Sequence, residues 1–290
     1  MSTPISTLLF CPATAPDKVA KIPSTGADSA AIDLEDAVNT THKVAARAIA
    51  LESITSSAFR NFPVFVRIND TSTGLTEDDI AGVVHPHLDG IVLSKASSPA
   101  DIDLADAALA RAERAAGIPI GSIGIIPLLE TAAGVHRAVD ILSASSRVRT
   151  AIFGFVDYML DVGIHSIDHT PDADELLYAR SAVVMACRVA GIQPPLDGPF
   201  LGIRTPEALL AQCRQARRMG YAGKMLIHPS QVGPAREGFA PDPEEVEQAK
   251  NIVRAFTEAD RLGKAAIVVD GRLVDYPVVA RARRILEGAL

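Results

Sequence analysis

Cysteine is scarce in this chain of 290 residues, which contains three cysteines at widely separated positions. An odd number of scattered cysteines matches neither a disulfide framework nor the paired spacing of a zinc site. The sequence therefore predicts a protein of a reducing compartment, the cytoplasm. The first residues also lack a basic segment followed by an apolar one, so we expect no signal peptide.

Two further absences exclude classes of partner. The net charge is −7, and no basic run is interleaved with aromatic residues, which argues against nucleic acid as the main partner. No apolar run approaches the roughly 20 residues that are needed to span a bilayer. The remaining composition, 48% hydrophobic and 22% charged, is that of an ordinary globular protein.

What the sequence does contain is a regular alternation of short apolar runs and amphipathic segments. The runs that predict strands cover residues 7–12, 29–32, 64–69, 90–93, 124–129, 151–156, 193–196 and 224–228. Helical segments between them indicate a parallel sheet, and eight such units indicate a closed barrel. We therefore predict an α/β protein, with a TIM (β/α)₈ barrel over residues 1–240.

A helix, a hairpin and a second helix are predicted over the C-terminal extension, residues 241–290. The hairpin is expected at Asp270-Gly271, a common turn dipeptide. About 50 residues are too few to bury a core of their own, so this extension should pack on a barrel. The barrel could be that of its own subunit or of a neighbouring subunit.

Two neighbouring predicted strands each lead into a carboxylate. Glu130 follows the run 124–129, and Asp157 follows the run 151–156. At the carboxyl ends of parallel strands both side chains could point at one spot, and two oxygen ligands suit Mg²⁺. Acidic residues are also common in the first turn of a helix, so spacing alone leaves a structural role equally open.

A second acidic group, Asp33, Glu35 and Asp36, follows the second predicted strand. In an extended chain Asp33 and Glu35 would share one face, and Asp36 would lie on the other. The group is either a polar transition to a loop or a set of acceptors for a cation, an arginine or metal-bound water. Arg67 lies within the third apolar run and needs a partner, because an unpaired buried charge is costly. It could pair with the acidic group, bind an anionic substrate group, or do both.

Three further charged residues lie outside the strands. Lys18 and Lys21 are predicted on the first helix, which Pro16 would start, and solvated surface is their ordinary role. Asp275 follows the hairpin and precedes the last helix, predicted over residues 276–290, where an N-cap is its ordinary role.

Several motifs follow one another along nearly the whole chain. They are Leu9-Phe10-Cys11-Pro12, Asp33-Leu34-Glu35-Asp36-Ala37-Val38 with Lys43 and Arg47, Val66-Arg67-Ile68-Asn69, Leu129-Glu130-Thr131-Ala132-Ala133-Gly134, Gly154 with Asp157, Gly223-Lys224 with Ile227-His228-Pro229, and Asp270-Gly271-Arg272-Leu273-Val274-Asp275. In this order they resemble the citrate lyase β-subunit-like proteins of the HpcH/HpaI aldolase and citrate lyase group.

The resemblance implies a role for each candidate site residue. Glu130 and Asp157 would hold Mg²⁺, and Arg67 would bind a thioester or substrate oxygen. Asp275 of a neighbouring subunit would close over the site as acid or base. Glu35 and Asp36 are the alternative proton-transfer candidates, and the candidate cofactor-binding residues are Lys18 and Lys21.

The resemblance also implies a lyase that cleaves or forms a carbon–carbon bond next to an acyl thioester of coenzyme A or an acyl carrier protein. Citryl, malyl and citramalyl thioesters are the examples, and the products are an acetyl thioester and a 2-oxo acid. We expect a homotrimer or a hexamer, without nucleic acid or membrane partners.

Two alternatives remain open at this point. One is a class II pyruvate-type aldolase acting on free 2-keto acids, which a requirement for a thioester would exclude. The other is a carrier-protein-dependent subunit of a larger lyase complex, which activity of the purified chain alone would exclude.

Overall fold

The computed structural model describes residues 5–166 and 168–287. The chain divides into two compact units, Met1–Gly238 and Phe239–Leu290. Two predictions fall partly outside the described residues. They are the absence of a signal peptide, which concerns residues 1–4, and the last helix, which was predicted to include residues 288–290.

The first unit is a closed barrel of eight parallel strands, so the predicted TIM barrel is confirmed. Each strand pairs with the next along the chain, and β8 closes the barrel against β1. The strands are β1 (Thr7–Pro12), β2 (Ser29–Asp33), β3 (Val64–Ile68), β4 (Gly90–Leu93), β5 (Gly124–Leu129), β6 (Ile152–Phe153), β7 (Leu196–Asp197) and β8 (Gly223–Leu226).

Helices connect the strands along the outside of the barrel. They are α1 (Pro16–Val19), α2 (Lys43–Thr55), α3 (Thr76–Val83), α4 (Pro99–Ala115), α5 (Ala132–His136), α6 (Ala138–Ser143), α7 (Phe155–Asp161), α8 (Leu177–Val189), α9 (Pro206–Met219) and α10 (Val232–Phe239). Prolines start α1, α4 and α9 at a position where the missing N–H costs nothing. Ser98 and Asp101 form a capping box on α4.

The barrel interior is filled by apolar side chains that recur at every second position of the strands. The interior residues are Leu8, Phe10, Ala31, Phe65, Val92, Ile126, Leu128, Ile152, Leu196 and Met225. The alternate residues face the helices, which makes the strands apolar on both sides. The strands therefore appear in the sequence as continuous apolar runs.

The structure differs from the prediction at the two shortest strands. β6 ends at Phe153, and Asp157 lies in the first turn of α7 instead of following a strand directly. β7 begins only at Leu196, because the preceding Pro194 and Pro195 have no N–H to donate to a neighbouring strand.

The second unit is a helix, a hairpin and a helix. Its elements are α11 (Pro243–Arg261), β9 (Ala266–Val269), β10 (Arg272–Asp275) and α12 (Tyr276–Glu287). Asp270 and Gly271 join the antiparallel strands, with φ of 49° and 74°, as a type I′ turn requires. Phe256, Val274 and Val279 form a small buried cluster, so the unit has an apolar core that the sequence did not lead us to expect.

The helices among the described residues include none that is both long enough and apolar enough to cross a membrane.

Candidate active site

Three charged side chains lie at the carboxyl-terminal mouth of the barrel. Asp33, Arg67 and Glu130 each follow a residue of the barrel core by two positions, so strand alternation turns them towards the barrel axis. They are 2%, 8% and 3% exposed. Charges this deeply buried need partners, and the contacts between them define the site.

Arg67 is fixed from one side by Asp33. Its Nε and Nη2 donate to the two carboxylate oxygens of Asp33 at 2.7 and 2.5 Å, and its Nη1 lies 3.1 Å from Glu35 Oε2. Burial alone would lower the pKa of Arg67, but the hydrogen bonds and charge of Asp33 and the charge of Glu35 outweigh burial and raise it. The Asp33 hydrogen bonds occupy two of the five N–H donors of a guanidinium, so Arg67 can also bind a substrate oxygen.

Glu35 connects Arg67 to a lysine on the next strand end. Its Oε1 lies 2.5 Å from Lys95 Nζ, and its Oε2 accepts from the backbone N–H of Asp36. Burial raises the pKa of Glu35, and the charges of Arg67 and Lys95 offset this only in part. The Asp36 side chain is 60% exposed. Asp36 is therefore the accessible acid. The extended chain assumed in the prediction ends at Asp33, and the N–H groups of Glu35 and Ala37 donate to the Asp33 carboxylate in the turn that follows. The separation of Asp36 thus comes from this turn and not from alternation along a strand.

The loop that carries these acids is held in place by Lys43 and Asn69. Lys43 Nζ donates to the carbonyl oxygens of Leu34 and Glu35, both at 3.1 Å, and to Asn69 Oδ1. Asn69 in turn donates to Asp79. Lys43 and Asn69 belong to the motifs that carry the family resemblance, and their contacts fix the conformation of the acidic loop.

Glu130 and Asp157 line one cavity of about 170 Å³ at the mouth. Burial, and then the negative charge of Asp157, raise the pKa of Glu130 to about 8. A Cβ at Gly154 would lie 2.6 Å from Glu130 Oε2, so only glycine fits beside this carboxylate. The cavity is lined by Asp36, Arg67, Leu128, Glu130, Gly154, Val156, Asp157, Pro199 and Met225.

This pair of acids fits a hard divalent cation. Two carboxylates that repel each other in one cavity are stabilised by a positive ion between them. Within residues 5–166 and 168–287, no group of three or more His, Cys, Asp or Glu side chains could hold a metal. An ion at Glu130 and Asp157 would therefore complete its shell with water or substrate oxygens, as Mg²⁺ commonly does.

The other predicted site residues are Lys18, Lys21 and Asp275. Lys18 lies on α1 and is exposed. Lys21 is also exposed, but the prediction that it lies on the first helix is wrong, because α1 ends at Val19 and Lys21 precedes a separate turn that contains Pro23. Asp275 belongs to the second unit, where its Oδ1 accepts from the backbone N–H of Val278 at 3.3 Å.

Sequence reasoning overlooked Lys95, which follows β4 and contacts several of the acids. Its position between two acidic strand ends was the available signal. We call the charged residues at the barrel mouth the mouth cluster: Asp33, Glu35, Asp36, Arg67, Lys95, Glu130 and Asp157.

The chain is similar to known proteins over most of its length. Residues 6–229 match the HpcH/HpaI aldolase/citrate lyase family. The chain belongs to this family. It is 33% identical to the citrate lyase subunit beta of Leuconostoc mesenteroides subsp. cremoris, over 97% of this chain and 92% of that protein. It is 32% identical to an L-malyl-CoA/beta-methylmalyl-CoA lyase of Cereibacter sphaeroides, over 97% and 93% of the two chains. The family and these relatives identify the chain as a carbon–carbon lyase.

A similar solved structure is that of protein CitE from Mycobacterium tuberculosis in complex with magnesium, acetoacetate and coenzyme A. It is 29% identical to this chain and superposes with a TM-score of 0.76, over 98% of this chain and 97% of that one. The family member in that crystal thus binds the metal that the Glu130 and Asp157 pair fits here.

Proposed function

We propose that this chain, with Mg²⁺, cleaves or forms a β-hydroxyacyl thioester of the citryl, malyl or citramalyl type. The other side of the reaction is an acetyl thioester and a 2-oxo acid. The observation that carries this proposal is a fixed arginine beside two mutually repelling carboxylates in one cavity of the barrel mouth. The lyase activities named for the relatives support it.

The residues of the mouth cluster match the needs of this reaction. In the cleavage direction a base takes the proton of the hydroxyl group, the carbon–carbon bond breaks, and the thioester enolate takes up a proton at carbon. Mg²⁺ held by Glu130 and Asp157 would supply a Lewis acid and a template for the oxygens of the 2-oxo acid. Arg67, held by Asp33, would donate its outer N–H groups to the oxygen that gains negative charge.

Asp275 is our candidate for the proton transfer at the enolate carbon. In this proposal the C-terminal unit of one subunit covers the barrel mouth of a neighbour, in a homotrimer or a hexamer. On the same chain the accessible alternative is Asp36. Glu35 is a less suitable acid or base, because contacts with Lys95, Arg67 and the Asp36 N–H occupy its carboxylate.

Substituting Asp275 by Asn separates a catalytic role from an N-cap, because Asn caps a helix about as well as Asp. We expect an unchanged melting temperature and a turnover lower by about 10²–10⁴. Mixing Asp275→Asn with Glu130→Gln protein under conditions of subunit exchange should restore part of the activity. No recovery despite demonstrated exchange would contradict the shared site, and full activity of Asp275→Asn alone would make the residue a cap.

Lys18 and Lys21 are proposed to bind the anionic part of the thioester carrier. Both are exposed and follow β1, whose carboxyl end lies at the barrel mouth. Coenzyme A and an acyl carrier protein both offer phosphate groups to such lysines. The three described cysteines are free and buried, and we place the protein in the cytoplasm.

The deciding experiment is an assay of the purified full chain with malyl-CoA, citramalyl-CoA and citryl-CoA, with Mg²⁺ or with EDTA. We expect cleavage of at least one thioester, only with Mg²⁺, and none of the corresponding free acids. Aldol cleavage of free 2-keto acids without a thioester would favour a pyruvate-type aldolase instead.

A carrier-dependent subunit is the second candidate, because one relative is named as a subunit of citrate lyase. It predicts no activity with coenzyme A thioesters and recovery of activity with an acyl carrier protein substrate. The two substrates, tested side by side on the same preparation, distinguish the two functions.

A further inference from the structure

Lys95 has a backbone conformation that side chains other than glycine rarely adopt. Its φ is 49°, in the left-handed region. This conformation is costly for a residue with a Cβ, and such strain persists where the surrounding structure imposes it, often at functional sites. The turn is fixed on both sides: Ser97 Oγ donates to the carbonyl oxygen of Lys95, and the next N–H, of Ala96, donates to Leu128 O.

This turn directs the backbone of Lys95 at one candidate metal ligand. The N–H of Lys95 donates to Glu130 Oε1 at 2.9 Å. Because the donor is a backbone group, the contact depends on the path of the chain after β4 and does not require the lysine side chain. Lys95 therefore positions Glu130 through its backbone.

The side chain of Lys95 reaches the other candidate ligand. Its Nζ lies 2.5 Å from Glu35 Oε1, 3.7 Å from Asp36 Oδ2 and 3.8 Å from Asp157 Oδ1. One ammonium group thus lies among three carboxylates, one of which belongs to the proposed metal pair. The hydrogen bond to Glu35 and the negative charges of Glu35, Glu130 and Asp36 hold the pKa of Lys95 above its ordinary value in spite of burial.

The charges of the mouth cluster do not balance without a metal. The cluster has five acidic side chains, Asp33, Glu35, Asp36, Glu130 and Asp157, and two cationic side chains, Arg67 and Lys95. Two N–H groups of the Arg67 guanidinium already donate to Asp33. Lys95 is thus the cation nearest to Asp157 among these contacts, and Mg²⁺ at the pair would lie close to its ammonium group.

We propose that the Lys95 ammonium competes with Mg²⁺ for the mouth cluster and thereby limits the affinity of the site for the metal. In the metal-free protein the ammonium neutralises part of the acidic charge. On metal binding it loses its interaction with Asp157 and keeps the one with Glu35. This inference rests on the proposed function to the extent that Glu130 and Asp157 are the metal ligands.

The test is a calorimetric titration of EDTA-stripped full-length protein with Mg²⁺, for wild type, Lys95→Met and Lys95→Arg. Removing a unit positive charge a few ångströms from a divalent ion should tighten Mg²⁺ binding by about tenfold or more in Lys95→Met. Lys95→Arg keeps the charge and should bind Mg²⁺ within about threefold of wild type. In EDTA, Lys95→Met should melt at a lower temperature than wild type, and added Mg²⁺ should narrow the difference.

A matched control is Lys43→Met, which removes a lysine that also contacts the acidic loop. The Lys43 ammonium is bonded to carbonyl and amide oxygens and not to the metal pair, so its loss should change the Mg²⁺ affinity less than the loss of Lys95. If Lys95→Met does not fold, Lys95→Gly replaces it, because glycine adopts the left-handed conformation readily and keeps the N–H to Glu130.

The proposal would be wrong if Lys95→Met, or Lys95→Gly, bound Mg²⁺ no more tightly than wild type. A wrong assignment of Glu130 and Asp157 as metal ligands would give a different result. In that case wild type would bind no Mg²⁺, or Glu130→Gln would bind it as well as wild type, and the competition would fall together with the assignment.

Discussion

Two clusters of charged side chains lie on the same barrel, one at its mouth and one on its outer side, and they are built differently. The mouth cluster lies at the end of the barrel interior. The second, which we call the wall cluster, consists of Arg180 on α8, Asp197 on β7 and Lys224 on β8. In the wall cluster one carboxylate accepts from Lys224 Nζ at 2.7 Å and from Arg180 Nη2 at 3.2 Å. Its side chains are 1–6% exposed.

The pKa shifts of the acids have opposite signs in the two clusters. Burial alone would raise the pKa of Asp197, but the charges of Lys224 and Arg180 outweigh burial and lower it. Burial and the charge of Asp157 raise the pKa of Glu130 to about 8. Buried charge as such is therefore no sign of a functional site. A functional site is indicated instead by an excess of negative charge that faces a cavity, because a bound cation can neutralise it.

The largest difference between the clusters should come from removing one carboxylate. Glu130→Gln should lower turnover by about 10³ or more, since the Lewis acid supplies several kcal/mol to the reaction. The same change should raise the melting temperature in EDTA at neutral pH, because burial and the charge of Asp157 force folded Glu130 to take up a proton, and Gln avoids this cost. Turnover assays and thermal melts check both. A variant with wild-type Mg²⁺ affinity and turnover would remove Glu130 from the site.

Replacing an arginine by lysine should also separate the clusters. Arg67→Lys keeps the charge but loses the planar fork, and we expect turnover to fall by about 10²–10³ with a nearly unchanged melting temperature. Arg180→Lys is the matched change in the wall cluster. Because Arg180 bonds Asp197 and Gln215, it should lose stability and retain turnover per folded molecule. Equal behaviour of the two variants would contradict the division into a functional and a structural cluster.

Asp197→Asn should destabilise the protein, in contrast to Glu130→Gln. It leaves Arg180 and Lys224 buried without their counter-ion, and breaking such a buried pair costs about 3–5 kcal/mol. Urea denaturation measures the difference in the free energy of unfolding. A stability equal to that of wild type would show that Asp197 is not the partner that keeps these two cations in place.

The sequence predicted the barrel well because its strands are apolar on both faces. Strands β1 to β5 were identified from continuous apolar runs, and Arg67 was recognised as a charge that needed a partner. The two short strands were less well predicted. Pairing at β7 starts after Pro194-Pro195, and β6 ends at Phe153, just before Gly154, where any side chain would collide with the Glu130 carboxylate.

The contacts of the site were harder to predict than the residue types. Lys95 was overlooked because its role depends on a left-handed turn and on three carboxylates from other segments. The separation of Asp36 from Asp33 and Glu35 was expected from alternation along an extended chain, but it arises from the turn that follows β2. Which of these acids would bind Arg67 depends on the register of β2 against β3, where Asp33 lies opposite Arg67.

The smallest effect we expect, measured per pH unit, is a difference in the pH dependence of stability. In EDTA, folded protein keeps a proton on Glu130 up to about pH 8, whereas an unfolded Glu loses it near its ordinary pKa of about 4.3. Between these values the native state binds more protons than the unfolded state, so the free energy of unfolding should fall as pH rises from about 5 to 8, by at most about 1.4 kcal/mol per pH unit for this group. Glu35, whose pKa is also raised, contributes in the same direction.

Asp197 should act on a different part of the pH range. Because its pKa is lowered in the folded state, the stability that it contributes is present above its ordinary pKa of about 3.9 and is lost as pH falls below that value. Urea denaturation at a series of pH values in EDTA measures both effects. Glu130→Gln should reduce the slope between pH 5 and 8 and leave the acid limb unchanged, while Asp197→Asn should do the reverse. Saturating Mg²⁺ should also reduce the slope of wild type, because the ion favours ionised Glu130. A wild-type slope that neither Glu130→Gln nor Mg²⁺ alters would mean that Glu130 is not the acid that the missing cation leaves uncompensated.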